Sequence, residues 1–214
     1  PIYGASAGFE IAFCITFFTG LLMWLLTRRY KRELIPRDGF LLVTMAWVLL
    51  ALAATIPLYV NIEGISFVHA FFEATSGITT TCGTILSGLD RLPLSVNFWR
   101  CFLAWMGGIG ILVMAVAVLP LLGVGGSQIF RAESSGPMKE GRLTPRIADT
   151  AKAFYNIYLA ISVACAVCYH FAGMDWDDAI MHTFTTVSLG GYSSHDAGFA
   201  YWPGRAVDWV CVVF

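Results

Sequence analysis

The chain has 214 residues, 57% of them hydrophobic and only 13% charged, with a mean hydropathy of +0.71. That composition excludes a soluble domain of ordinary make-up and points to an integral membrane protein whose partner is the lipid bilayer. A net charge of −1 gives no ground for a nucleic-acid partner, so the 13 Lys and Arg inform only through where they fall. Arg28, Arg29, Lys31, Arg32 and Arg37 crowd one hydrophilic break, and Arg131, Lys139, Arg142, Arg146 and Lys152 another. The positive-inside rule places both breaks in the cytoplasm. Arg91, Arg100 and Arg205 lie in or next to the opposite breaks, with Glu63, Glu73, Asp90, Asp175, Asp177, Asp178 and Asp196.

Phe9 to Leu26 is an apolar run long enough to span, since about 20 helical residues cross roughly 30 Å of hydrocarbon. It runs inward onto Arg28 and Arg29. No basic flank precedes it, so no cleavable signal is visible, and Pro1 implies a start inside a larger protein. Phe40 to Tyr59 returns outward and closes near Pro57 and Asn61. Ser66 to Gly77 follows, about 18 Å as a helix. It is too short to cross and fits a re-entrant helix. Ser87 to Asn97, with Gly88, Asp90, Arg91 and Pro93, is a polar exit to the outer surface. Phe98 to Leu122 is the third span, with Gly107, Gly108 and Gly110 near its middle, where glycine lets neighbouring backbones approach.

The segment from Gly123 to Thr144, GVGGSQIFRAESSGPMKEGRLT, is cytoplasmic. Gln128 breaks a GxGxxG pattern and no P-loop lysine is present, so no nucleotide site or organic cofactor is expected. Thr144 as N-cap and Pro145 at the first helical position start the next helix. Its membrane part, Ala153 to Phe171, leads outward to Gly173 and the acids Asp175, Asp177 and Asp178, which suit the positive end of a second short helix. That helix gives way at Ser188-Leu-Gly-Gly-Tyr192, and a span from Ala206 is still apolar where the sequence stops, so a fragment is expected. Cys14, Cys82, Cys101, Cys165, Cys168 and Cys211 mostly lie in apolar runs and read as free thiols; Cys165 and Cys168 form a CxxC without nearby ligands.

Two stretches carry the chemistry. FFEATSGITTTCGTIL begins at Phe71 and IMHTFTTVSLGGY at Ile180, and they align without a gap at an offset of 109. Ser76 falls on Thr185, Ile78 on Val187, Thr79 on Ser188, Cys82 on Gly191 and Gly83 on Tyr192. Taken alone, each could be a helix end or C-cap; their recurrence after a short helix and before an inward span reads as a pair of pore loops. Non-helical backbone at membrane depth is tolerated where it lines water or is buried in protein. Its carbonyls can replace the hydration shell of a monovalent cation, Thr79, Thr80 and Thr81 add hydroxyls, and both short helices aim negative C-terminal ends at the same place. The fold class expected is an all-α integral membrane protein of tandem membrane-pore loop-membrane repeats, K+-channel-like. Its parts are a leading helix and basic loop over 1–37, a first repeat over 38–122, a cytoplasmic loop over 123–147 and a second repeat over 148–214.

Two other classes compete. An intramembrane hydrolase would use Ser188 as nucleophile with His195 and Asp196 as base and orienter, although Ser188 lacks a nucleophile-elbow context. A non-conducting structural subunit would not need duplicated loops. His69 and His182 read as satisfied packing partners rather than ligands.

SGITTTCGTILSGLDRLP, FWRCFLAWMGGIGILVMAVAVLPLLGVGG, RAESSGPMKEGRLTPRIADTAKA and FTTVSLGGYSSHDA resemble the TrkH-type subunits of bacterial Trk potassium uptake systems, in the Trk/Ktr/HKT superfamily. The resemblance implies four membrane-pore-membrane repeats around a K+ pathway in the bacterial inner membrane, of which this chain holds the first two. It implies K+ filter strands at Ile78, Thr79, Thr80, Thr81 and Cys82 and at Val187, Ser188, Leu189, Gly190 and Gly191. It also implies a homodimer and a cytoplasmic nucleotide-binding, TrkA-like regulatory subunit, which the basic loop from Arg131 to Lys152 would contact. The family usually ends each strand with glycine. Gly191 matches and Cys82 does not, so either Cys82 adopts the glycine's backbone or Gly83 takes its place with a one-residue shift.

Overall fold

A computed structural model describes residues 6–29, 36–118 and 143–214. The basic loop through Arg131, Lys139 and Arg142, expected to meet a regulatory subunit, lies outside the described residues. Among the described residues all regular structure is helical, with no strand. The four long helices are α1 (Ser6–Thr27), α2 (Pro36–Asn61), α4 (Leu94–Val118) and α5 (Leu143–Phe171). All four are long and apolar enough to cross a membrane. Their outward faces, from Phe13, Phe17 and Leu22 on α1 to Leu41 and Leu49 on α2 and Ile157 and Val163 on α5, are exposed hydrophobic surface, as a lipid solvent requires. Pro36 opens α2, where a missing N–H is harmless.

Two helices are short. α3 (Phe67–Ile78) has 12 residues, with the Ser66 side chain accepting from the His69 amide as its N-cap; α6 (Trp176–Val187) also has 12 and starts after Asp175. Both ends of the pair are 109 positions apart, the offset of the gapless alignment, so the repeat persists in local structure. α7 (Ala206–Val213) follows the second short helix. Sequence placed Thr144 as the cap of α5, whereas the helix begins at Leu143; Pro145 still falls in the first turn, where its missing donor breaks no intrahelical bond.

Each short helix is held in its own apolar cluster. Ala70 and Ala74 of α3 pack with Ala54 and Leu58 of α2 and Val96 and Leu103 of α4. Ala179 of α6 packs with Cys165 and Tyr169 of α5, Trp202 and Val207. Ala70 and Ala179 are equivalent positions and both are wholly buried; a small side chain there lets the short helix lie close against its long neighbours. α4 is shared, packing on α3, α5 and α6. A third cluster of Cys101, Met181 and Tyr192 closes the seam between the units.

Candidate functional site

The two short helices end with the same backbone hand at equivalent positions. Thr79 caps α3 at φ −86°, ψ 4° and Ser188 caps α6 at φ −84°, ψ −1°. The next residues, Thr80 and Leu189, are left-handed at φ +59° and +57°. Two further on, Cys82 has φ +51° and Gly191 φ +108°. Gly83 is not among the positive-φ residues, and Cys82 shares the left-handed backbone of Gly191, the glycine it matches.

Hydrogen bonds repeat the correspondence. Thr80 N donates to Gly77 O at 2.9 Å and Leu189 N to Thr186 O at 2.9 Å. The Ser76 hydroxyl donates to Gly83 O at 2.7 Å and the Thr185 hydroxyl to Tyr192 O at 2.9 Å. In both units a hydroxyl inside the short helix therefore pins the carbonyl at the far end of the loop. In the second unit Gly190 N closes onto Thr185 O at 2.8 Å, completing a Schellman-type helix end. In the first, the equivalent acceptor Ser76 O is reached instead by Cys82 N at 3.0 Å, one residue beyond Thr81, the position that matches Gly190. The C-cap reading is thus right about local geometry. What it leaves unexplained is that Thr and Leu stand where glycine normally sits, although a left-handed L-residue costs about 1–2 kcal/mol. Leu189 is moreover 86% exposed.

Ile78 and Val187 are the last residues of their helices, so the irregular stretches begin at Thr79 and Ser188. The Ile78 carbonyl is turned toward α4: a Cβ on Gly107 would overlap its oxygen and lie 2.7 Å from its carbon. A Cβ on Gly108 would sit 3.1 Å from Ser188 Cβ and 2.6 Å from the Tyr158 hydroxyl. These glycines let α4 run directly behind both loops. The loops also meet each other, since a Cβ on Gly190 would overlap Cys82 Sγ. Of the three threonine hydroxyls, Thr79's donates to Thr75 O at 2.8 Å and lies 3.0 Å from Thr81 Oγ1.

Behind the first loop lies a group that charge counting missed. Glu73 and Arg100, assigned from sequence to the outer breaks, are fully buried and paired at 2.7 Å. Arg100 also donates to Asn97 Oδ1 at 3.1 Å and Thr84 Oγ1 at 3.0 Å. Thr84 donates to Glu73 Oε1 at 2.8 Å, and Ile85 N to Glu73 Oε2 at 3.2 Å. In the second unit the positions of Glu73 and Thr84 are held by His182 and Ser193, whose Nε2 and Oγ are 3.2 Å apart. His182 Nδ1 faces Asp178 O at 2.9 Å, so His182 is a satisfied packing partner. The one available signal was positional: Glu73 lies mid-helix in an apolar run, which demands a cationic partner.

The hydrolase constellation is not assembled. The Ser188 hydroxyl donates to Thr185 O at 3.3 Å. His195 instead bonds Asp90 through Nδ1 and lies 3.2 Å from Asp178 through Nε2, while Asp196 accepts from Gly88 N at 2.9 Å. These contacts join the two units beside a cavity of about 480 Å³ lined by Asp90, Asn97, Asp178 and His195. Among the described residues no group of three or more His, Cys, Asp or Glu could hold a metal ion.

Comparison with known proteins places this geometry. The TrkH family model, of cation transport proteins, matches residues 5–214. The Trk system potassium uptake protein TrkH of Vibrio parahaemolyticus is 48% identical over 212 residues, 99% of this chain and 44% of that protein. The protein of the same name in Escherichia coli K12 is 43% identical, with the same coverage. The crystal structure of the potassium transporter TrkH from Vibrio parahaemolyticus matches with a TM-score of 0.84 at 44% identity, over 98% of this chain and 42% of that one. The chain spans less than half the length of these relatives.

Proposed function

Since the chain belongs to the TrkH family of cation transport proteins, we propose that it forms part of a K+ pathway across the bacterial inner membrane, in the translocating subunit of a Trk-type uptake system. It is a multi-pass membrane protein, and on this reading a transporter rather than an enzyme. Residues 38–122 and 148–214 are two repeats, 1–37 their leader and 123–147 a cytoplasmic connection. The filter is built by Thr79, Thr80, Thr81 and Cys82 from the first repeat and Ser188, Leu189, Gly190 and Gly191 from the second, with Ile78 and Val187 anchoring each strand to its helix. K+ is the cargo, coordinated by backbone oxygens that replace its water. The ends of α3 and α6 add roughly half a negative charge each. The partners on this reading are a second copy of the subunit and a cytoplasmic nucleotide-binding, TrkA-like protein.

The observation that carries the reading is the match of the two loops in φ, ψ and hydrogen bonding, strained left-handed residues included. Strain kept at equivalent places in two copies is expected where backbone direction is itself functional. The test is K+ and Rb+ uptake by the full-length transporter bearing this sequence, in cells lacking other K+ uptake, against its Gly191→Ser form at equal abundance. A Cβ at Gly191 meets nothing within 4 Å, and its φ is +108°, so serine acts through backbone strain rather than bulk. We expect growth at low K+ with the parent and degraded K+/Na+ discrimination with the variant. A parent that moves no K+, or a variant with unchanged discrimination, overturns the assignment.

A further inference from the structure

Tyr192 follows the second loop and is 2% exposed, yet its hydroxyl and the face of its ring engage the first unit. Its hydroxyl donates to Glu73 O on α3 at 2.9 Å. Its ring lies 4.4 Å from the Arg100 guanidinium, in the range of a cation–π contact. The ring edge lies 3.4 Å from where a Cβ on Gly77 would be. Its own carbonyl is held by the Thr185 hydroxyl, so Tyr192 is fixed to α6 at one end and to α3 at the other.

The charges under it are arranged so that neither is left alone. A buried ion stripped of its partner costs several kcal/mol, and the side-chain hydrogen bonds given for Glu73 and Arg100 run to α3, α4 and residues 84–85. Asn97, which accepts from Arg100, donates to Leu89 O at 2.9 Å and to Ser194 O at 3.3 Å, a second link into the later unit. The arrangement has no counterpart behind the second loop. His182 and Ser193 replace Glu73 and Thr84 there, Trp209 stands 109 positions after Arg100, and Gly83 matches Tyr192.

We infer that Tyr192, seated on the Glu73–Arg100 pair, is a positioning residue that fixes the first filter strand against the second and so sets discrimination among monovalent cations. This rests on the filter reading above. The strand it braces is the one with two non-glycine left-handed residues, Thr80 and Cys82, which need over-determining contacts to persist.

The experiment measures K+, Rb+ and Na+ uptake by the full-length transporter with Tyr192→Phe and, separately, Thr84→Val, alongside Gly191→Ser, each normalised to protein in the membrane. Tyr192→Phe keeps the ring and loses one hydrogen bond; Thr84→Val keeps the shape and removes the hydroxyl shared by Glu73 and Arg100. In Tyr192→Phe the K+/Na+ uptake ratio falls by about two- to tenfold, as loss of one neutral hydrogen bond allows, and in Thr84→Val, which breaks bonds to both charged groups, it falls at least as far. A merely structural role would lower abundance and leave the ratio per molecule unchanged, and that result overturns the inference. If Gly191→Ser shifts the ratio and neither other variant does, the brace fails and the filter stands. If none of the three shifts it, the filter reading fails and the brace with it.

Discussion

Cys82 stands at φ +51°, where its partner in the second unit is Gly191 at φ +108°. Holding an L-residue there costs about 1–2 kcal/mol, whereas glycine brings an unfolded-state entropy cost of about 0.5–1 kcal/mol. Cys82→Gly also removes a thiol that packs against Gly190. The terms nearly offset, so the expected change in unfolding free energy is within about 1 kcal/mol, with K+ preference retained or sharpened. Thermal unfolding in detergent and the K+/Na+ uptake ratio check the two halves. Complete loss of transport would mean that Cys82 is not the end of the strand.

Among the elements, α4 is the one both loops lean on, and its glycines give a graded test. Gly107 faces the Ile78 carbonyl backbone to backbone, so neither side can swing away. Gly108 faces a tyrosine hydroxyl, which can move, and Ser188 at 3.1 Å; Gly110 meets only Trp47 at 3.7 Å. Overpacking costs typically about 1–3 kcal/mol. The expected order of destabilisation is Gly107→Ala at the top of that range, Gly108→Ala below it, and Gly110→Ala near zero. Unfolding midpoints of the three purified variants check the order, and an unaffected Gly107→Ala would contradict the close approach. The glycines were visible in the sequence as helix-weakening residues suited to packing. Which backbone each one admits was not visible, because the Ile78 carbonyl is brought to Gly107 by the docking of α3 on α4.

At the scale of the whole molecule, His195 ties the two units together. Burial works against its charge, but hydrogen bonds to Asp90 and Asp178 and their negative charges outweigh it and raise its pKa above the ordinary 6.5. The hydrogen bond from His195 is the largest cause lowering the Asp90 pKa below 3.8. A raised histidine pKa contributes stability that is fully present below the unfolded value and is lost as pH rises through the folded one. The lowered Asp90 contributes above its unfolded value and loses its share as pH falls through the folded one. The link is therefore complete between the unfolded Asp90 and unfolded histidine values and is lost as pH rises from the latter through the raised histidine value. Tyr201 stacks on the imidazole at 3.6 Å and Trp202 abuts it edge-on, so both hold the ring in place. Unfolding midpoints from about pH 5 to 9 should decline for the parent and stay level for His195→Gln. Equal slopes would remove His195 from the link.

The sequence by itself determined the membrane class, the long apolar helices, the two short ones and their offset of 109, because hydropathy and length are local properties that lipid reads directly. It also showed that Cys82 departs from glycine, since a gapless alignment needs no coordinates. Tertiary structure decided the rest. It put Glu73 and Arg100 together across 27 positions, carried the Tyr192 hydroxyl to a carbonyl 119 residues earlier, and drew His195 to Asp90 rather than to Ser188. Charges counted along the chain put Arg100 only in or next to an outer break. A buried charge is placed by the partner that satisfies it, and only the packing of α3 against α4 brings that partner within reach.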